Sequence, residues 1–87
     1  MVRMAERDRV RSELIEFLGT IARPGSQFDE LGDDDNLVDA GVIDSLAVIH
    51  IIMYLESEHG VNLAASGIDP TDILSIGGIL DAIGRGA

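Results

Sequence analysis

The apolar positions of the chain fall into helical stripes separated by polar segments that are marked by glycine and proline. In residues 5–21, Val10, Leu14, Phe17, Leu18 and Ile21 recur at i, i+4, i+7, i+8 and i+11, which is one face of an α-helix. Arg7, Arg9, Arg11, Glu13 and Glu16 occupy the other face, and Pro24-Gly25 stops the helix. A second helix is expected to start at Asp44-Ser45 and to end before Gly60. Asp44 is the candidate N-cap and Gly60 suits the residue after the last turn. Residues 61–69 read as a loop, and Ile68-Asp69-Pro70-Thr71-Asp72-Ile73 as a short helical turn with proline near its start. In the last helix, capped by Ser75, Ile76, Ile79, Leu80 and Ile83 repeat at i, i+3, i+4 and i+7. Gly77 and Gly78 weaken it by roughly 1 kcal/mol each against alanine, so they serve a close contact or are simply tolerated. No segment alternates as a strand would. The expectation is a single all-α domain over residues 1–87, a bundle of three main helices plus a short one.

Residues 22–43 form a long acidic connection that contains Asp33-Asp34-Asp35 and Asp39. A connection of about twenty residues is unusual in a small domain and often carries function. Phe28, Leu31, Leu37, Val38, Val42 and Ile43 are expected to pin it to the core, with Gly41 turning the chain just before the second helix.

The second helix is apolar on too many sides. At about 100° per residue, Val48, Ile51, Ile52 and Leu55 form one stripe, while Leu46, Ile49 and Met53 form another beside Ser45 and Glu56. A helix at the edge of a bundle needs only one. The second stripe therefore meets a partner or bound apolar group, or else lies under the acidic loop. Ser45 opens the helix beside it. Unpaired N–H groups and a partial positive charge there favour a phosphate ester on the serine, although a serine in this position also serves as a plain cap.

Composition narrows the chemistry. The net charge is −10, from sixteen acids against six bases, all of them arginine. Residues 1–23 carry five arginines and four acids, a net +1, whereas residues 24–87 carry Arg85 and twelve acids, a net −11. Such a surface repels nucleic acid and anionic membranes, and it either attracts partners with basic patches or simply keeps a small domain soluble. The absence of cysteine excludes disulfides, thiolate metal sites and a nucleophilic thiol of the chain's own. The longest apolar run, Leu46 to Leu55, is too short to span a bilayer and contains His50, and the N-terminal MVRMAERDRV lacks the apolar core of a signal peptide. A soluble, cytoplasmic, monomeric protein is expected.

Catalytic and metal motifs are poorly matched. Leu37, Val38 and Ala40 fall on ligand or glycine positions of a calcium loop started at Asp33 or Asp35. Ser45 has no Gly-x-Ser-x-Gly setting, and His50 projects about 140° away from it around the helix, a poor general base. His59 suits the negative end of the helix dipole better than a metal. No metal site and no enzyme activity are expected.

Taken together, Asn36-Leu37-Val38-Asp39-Ala40-Gly41-Val42-Ile43-Asp44-Ser45-Leu46 resembles the attachment motif of acyl and peptidyl carrier proteins. Tyr54-Leu55-Glu56-Ser57-Glu58-His59-Gly60-Val61-Asn62-Leu63 is similar to the end of that family's second helix, and Ile68 to Ile76 to its third-helix segment. The resemblance covers residues 5–84. It implies a four-helix carrier fold and a 4′-phosphopantetheine moved from coenzyme A onto Ser45 by a phosphopantetheinyl transferase. A thiol that arrives with the cofactor makes sense of a chain without cysteine. Carried over position by position, Asp44 is the flanking acid, and Leu46, Ile49, Met53 and Glu56 match docking positions for partner enzymes. Those partners are the transferase, an acyl- or aminoacyl-loading ligase or acyltransferase, and downstream synthases with basic patches.

His50 stands where fatty-acid carriers usually have glutamate, Ser57 thins the acidic cluster, and Tyr54 replaces a small residue. These departures favour a dedicated carrier of a polyketide, nonribosomal-peptide or aminoacyl pathway over a housekeeping fatty-acid carrier. The chain is read as a free-standing carrier or an excised domain, and the initiating Met1 favours the former. The rival class is an acidic helical interaction domain that never carries a cofactor.

Overall fold

Helix α1 spans Val2–Ile21, α2 Ser45–His59, α3 Leu63–Ser66 and α4 Ile76–Gly86, with a 3₁₀ turn at Pro70–Ile73 between the last two. These come from a computed structural model that describes residues 2–25 and 31–86, with side chains for 6–25 and 31–85. Among the described residues there is no strand, as the periodicity requires. The helix expected from residue 5 starts at Val2. The stretch 61–69, expected as loop, holds α3. Asn62 caps that helix by accepting from the Ala65 N–H, and Gly67 ends it. Four residues are too few to show a hydrophobic period, so only its caps announced it.

One core joins the elements. Leu14 and Leu18 of α1, Ile51 and Leu55 of α2, Ile73 of the 3₁₀ turn, and Ile76 and Ile79 of α4 are fully buried. Helix α4 packs against α1, α2, α3 and the 3₁₀ turn, which explains its glycines. A Cβ on Gly78 would overlap the Asp72 backbone carbonyl, and one on Gly77 would come to 3.0 Å of the Asp33 carbonyl oxygen. Close contact, not tolerance, accounts for this pair. Ser75 caps α4 as expected, its Oγ accepting from the Gly78 N–H at 3.0 Å.

The acidic connection is pinned at Leu37, Val42 and Ile43, all buried, with Leu31 packed partly against the core. Val38 is a correction, since it is exposed; the turn hydrogen bonds around Asn36 turn it outward. Phe28 lies outside the described residues. Asp33 ties the connection down twice. Its carboxylate accepts from Arg11 Nε at 3.2 Å and a terminal guanidinium nitrogen at 2.8 Å, and its carbonyl accepts from the Gly77 N–H at 2.8 Å.

The Arg11 hydrogen bonds hold the Asp33 carboxyl below its usual range, against a smaller opposing effect of burial. A depressed acid stabilises the fold above its unfolded value and loses that contribution as pH falls through the folded one. Because both side chains are about two-fifths exposed, Asp33→Asn is expected to cost no more than about 1 kcal/mol at neutral pH. The difference from wild type closes as the pH drops below the usual aspartate range, which denaturant titrations at neutral and acid pH would read. A cost that persists unchanged in acid contradicts this role.

Candidate functional site

The segment before α2 brings Asp44 and Ser45 to the surface. The Asn36 side chain accepts from the Val38 and Asp39 N–H groups at 2.9 and 3.0 Å, forming a turn. Leu37 anchors that turn, its N–H donating to the Leu74 carbonyl at 2.7 Å and its own carbonyl accepting from Val42 and Ile43. Gly41 completes the reversal at φ +77°, a conformation that a Cβ would strain. Val42 and Ile43 then turn inward, and Asp44 and Ser45 emerge exposed.

Asp44 is the N-cap, as its position suggests, and accepts from the Ala47 N–H at 2.9 Å. Ser45 is the first residue of α2, and its hydroxyl makes no hydrogen bond among the described residues. Capping therefore falls to Asp44 and leaves Ser45 free for other chemistry. The far end of α2 closes on Gly60, whose N–H donates to the Glu56 carbonyl at 3.1 Å.

The second stripe is uncovered. Leu46, Ile49 and Met53 are 62, 53 and 57% exposed, so the acidic loop does not lie over them. His50 completes the row at i, i+3, i+4 and i+7 from Leu46, and exposed Glu56 lies one turn on. The structure places the candidate site residues Ser45, Leu46, Ile49, His50, Met53 and Glu56 on the exposed part of α2, with Asp44 at its N-cap. On the buried side, Ala47 at 3% exposure belongs to the core stripe that the sequence assigned to larger side chains.

Tyr54 is held by α1. Its ring stacks on Phe17 with centroids 4.1 Å apart and planes at 14°, and His59 meets it edge-on at 5.3 Å. Burial, with help from Glu13 and Glu58, pushes the Tyr54 phenol above its usual range. The stack, and the cleft that Thr20 and Ile21 share with Ala47 and His50, place α1 antiparallel to α2 along this edge. No sequence signal links Phe17 to Tyr54, because nothing local relates positions so far apart.

An exposed, unengaged serine thus opens a helix beside an uncovered apolar row, with Asp44 just before it and Glu56 at the far end of the row. The family model for the phosphopantetheine attachment site matches residues 8–83, and the chain belongs to that family. Its domains hold 4′-phosphopantetheine covalently and act as non-catalytic carriers. Neither a curated protein nor a solved structure gives a match. The residues present fit the group: the Ser45 hydroxyl is accessible, and the N–H groups of Ser45 and Leu46 have no partner among the described residues, so the first turn presents positive charge to a phosphate ester. Among the described residues no cluster suits a metal ion, and no helix is long and apolar enough to cross a membrane.

Proposed function

We propose that residues 1–87 form one carrier domain with 4′-phosphopantetheine on Ser45, in a polyketide or nonribosomal-peptide type pathway of the cytoplasm. The observation that supports this best is the free Ser45 hydroxyl on the rim of the exposed Leu46–Ile49–Met53 row. In the loading step the Ser45 Oγ–P bond forms while the phosphoanhydride bond of coenzyme A breaks. The serine proton passes to a base of the transferase, and adenosine 3′,5′-bisphosphate leaves. Once attached, the group supplies a thiol that carries acyl or aminoacyl cargo as a thioester. The chain itself catalyses no step. It presents the serine, keeps the first turn ordered through Asp44, and offers Leu46, Ile49, His50, Met53 and Glu56 to the transferase, the loading enzyme and the synthases.

His50 in a row otherwise apolar, with a single acid at its end, supports a dedicated pathway over a housekeeping one. A partner that reads this row needs an apolar patch and a basic rim. Fragmentation of the loaded chain in a mass spectrometer tests the site, with the added mass expected on Ser45; the mass on another residue contradicts the proposal. Docking is tested through loading kinetics. Ile49→Glu and Met53→Glu are each expected to lower kcat/KM with the transferase by about ten-fold or more. Both side chains are exposed, so stability should stay within about 0.5 kcal/mol. Raising the salt concentration is expected to slow loading of the wild type. Rates indifferent to both changes contradict this footprint.

A further inference from the structure

We propose that the cleft between the end of α1 and the start of α2 binds the first half of the phosphopantetheine arm. Thr20 and Ile21 line one wall and Asp44, Leu46, Ala47 and His50 the other of an open cleft of about 260 Å³. This inference rests on the carrier reading of Ser45.

Three observations carry it. The first is position. Residues on both sides of Ser45, Asp44 and Leu46, line the cleft, so an arm attached to Ser45 starts at its edge. The apolar groove formed by Ile52, Leu63 and Ile68 begins seven residues further along α2, a rise of about 10 Å. Tethering raises the effective concentration of the arm most at the nearer site.

The second is chemistry. The arm beyond its phosphate is a branched dimethyl carbon, then a hydroxyl, then an amide. The lining offers both kinds of group. Ile21, Leu46 and Ala47 offer apolar surface to the methyl groups. Thr20, Asp44 and His50 offer polar atoms to the hydroxyl and amide.

The third is unused hydrogen-bonding capacity. The Thr20 hydroxyl donates to the Phe17 carbonyl at 2.6 Å, which leaves its oxygen free to accept. Asp44 uses Oδ1 for the cap, and its Oδ2 has no partner among the described residues. The amide N–H of the arm has acceptors in both, and the imidazole of His50 supplies a donor for the hydroxyl or the amide carbonyl.

The test is an NMR comparison of isotope-labelled protein before and after loading from coenzyme A by a broad-specificity phosphopantetheinyl transferase, with the mass of each sample confirmed first. The expected result is amide shifts at Thr20 and Ile21, on a helix remote in sequence from Ser45, together with nuclear Overhauser contacts from the dimethyl group to Ile21 and Leu46. Loaded His50→Ala is expected to lose the Thr20 and Ile21 shifts. Loaded wild type whose changes stop at the neighbours of Ser45, or run instead to Ile52, Leu63 and Ile68, overturns the cleft assignment and leaves the carrier reading standing. Folded protein that accepts no phosphopantetheine overturns the carrier reading itself, and this inference with it.

Discussion

Ser45→Ala is expected to abolish attachment of phosphopantetheine while leaving the fold intact. Both halves follow from the first turn of α2. The Ser45 hydroxyl is exposed and makes no hydrogen bond among the described residues, so alanine removes the acceptor of the phosphoryl group and nothing that holds the helix. The cap belongs to Asp44, through its 2.9 Å hydrogen bond to the Ala47 N–H. The stability change at Ser45 should therefore lie within about 0.5 kcal/mol. Asp44→Ala, by contrast, should cost about 1 kcal/mol. Circular dichroism melts paired with intact mass after loading separate the two effects. Loading of Ser45→Ala at the wild-type level, or loss of its fold, contradicts this division of labour.

The largest expected effect on stability is at Gly78. Alanine is ordinarily the better helix former by about 1 kcal/mol. Here the added Cβ would overlap the carbonyl of Asp72 and come to 2.9 Å of Ser75 Oγ, the cap of the same helix. Backbone on the 3₁₀ turn cannot rotate away as a side chain would, so α4 and the turn must separate. Overpacking of this kind costs roughly 1–3 kcal/mol beyond the propensity gain. In a domain of this size each kcal/mol shifts Tm by about 4–8 °C, which makes Gly78→Ala visible in any thermal melt. Gly84→Ala is the control. Nothing lies within 4 Å of its Cβ, so it should leave stability unchanged or raise it by up to about 1 kcal/mol. Equal melting of Gly78→Ala and Gly84→Ala would remove the close approach from the account of the fold.

The two predictions draw on information of different kinds. The bounds of α2 were legible because Asp44 and Gly60 are strong local signals for a cap and a stop, and both act through atoms within one turn. The second apolar row was legible too, since a helix keeps its angular order wherever it packs. Whether the acidic loop covers that row depends on where Leu37, Val42 and Ile43 seat the loop, and no periodicity encodes that. Three consecutive aspartates look alike in sequence, yet only Asp33 meets both Arg11 and the Gly77 N–H. Val38 read as a core anchor because it is apolar, but the Asn36 turn faces it outward. The cleft beside Ser45 depends on how α1 crosses α2, which is a tertiary fact. For the same reason Thr20 carried no signal, and Ile21 read only as part of a core stripe.

The proposed carrier role rests on one bond, expected between Ser45 Oγ and the phosphorus of the arm. Intact mass of the purified chain, before and after incubation with coenzyme A and a broad-specificity phosphopantetheinyl transferase, reads that bond directly. A gain of one phosphopantetheinyl mass in the wild type, and none in folded Ser45→Ala, is the expected result. Folded, unmodified wild type that gains nothing with several transferases would contradict the carrier role and leave an acidic helical interaction domain in its place.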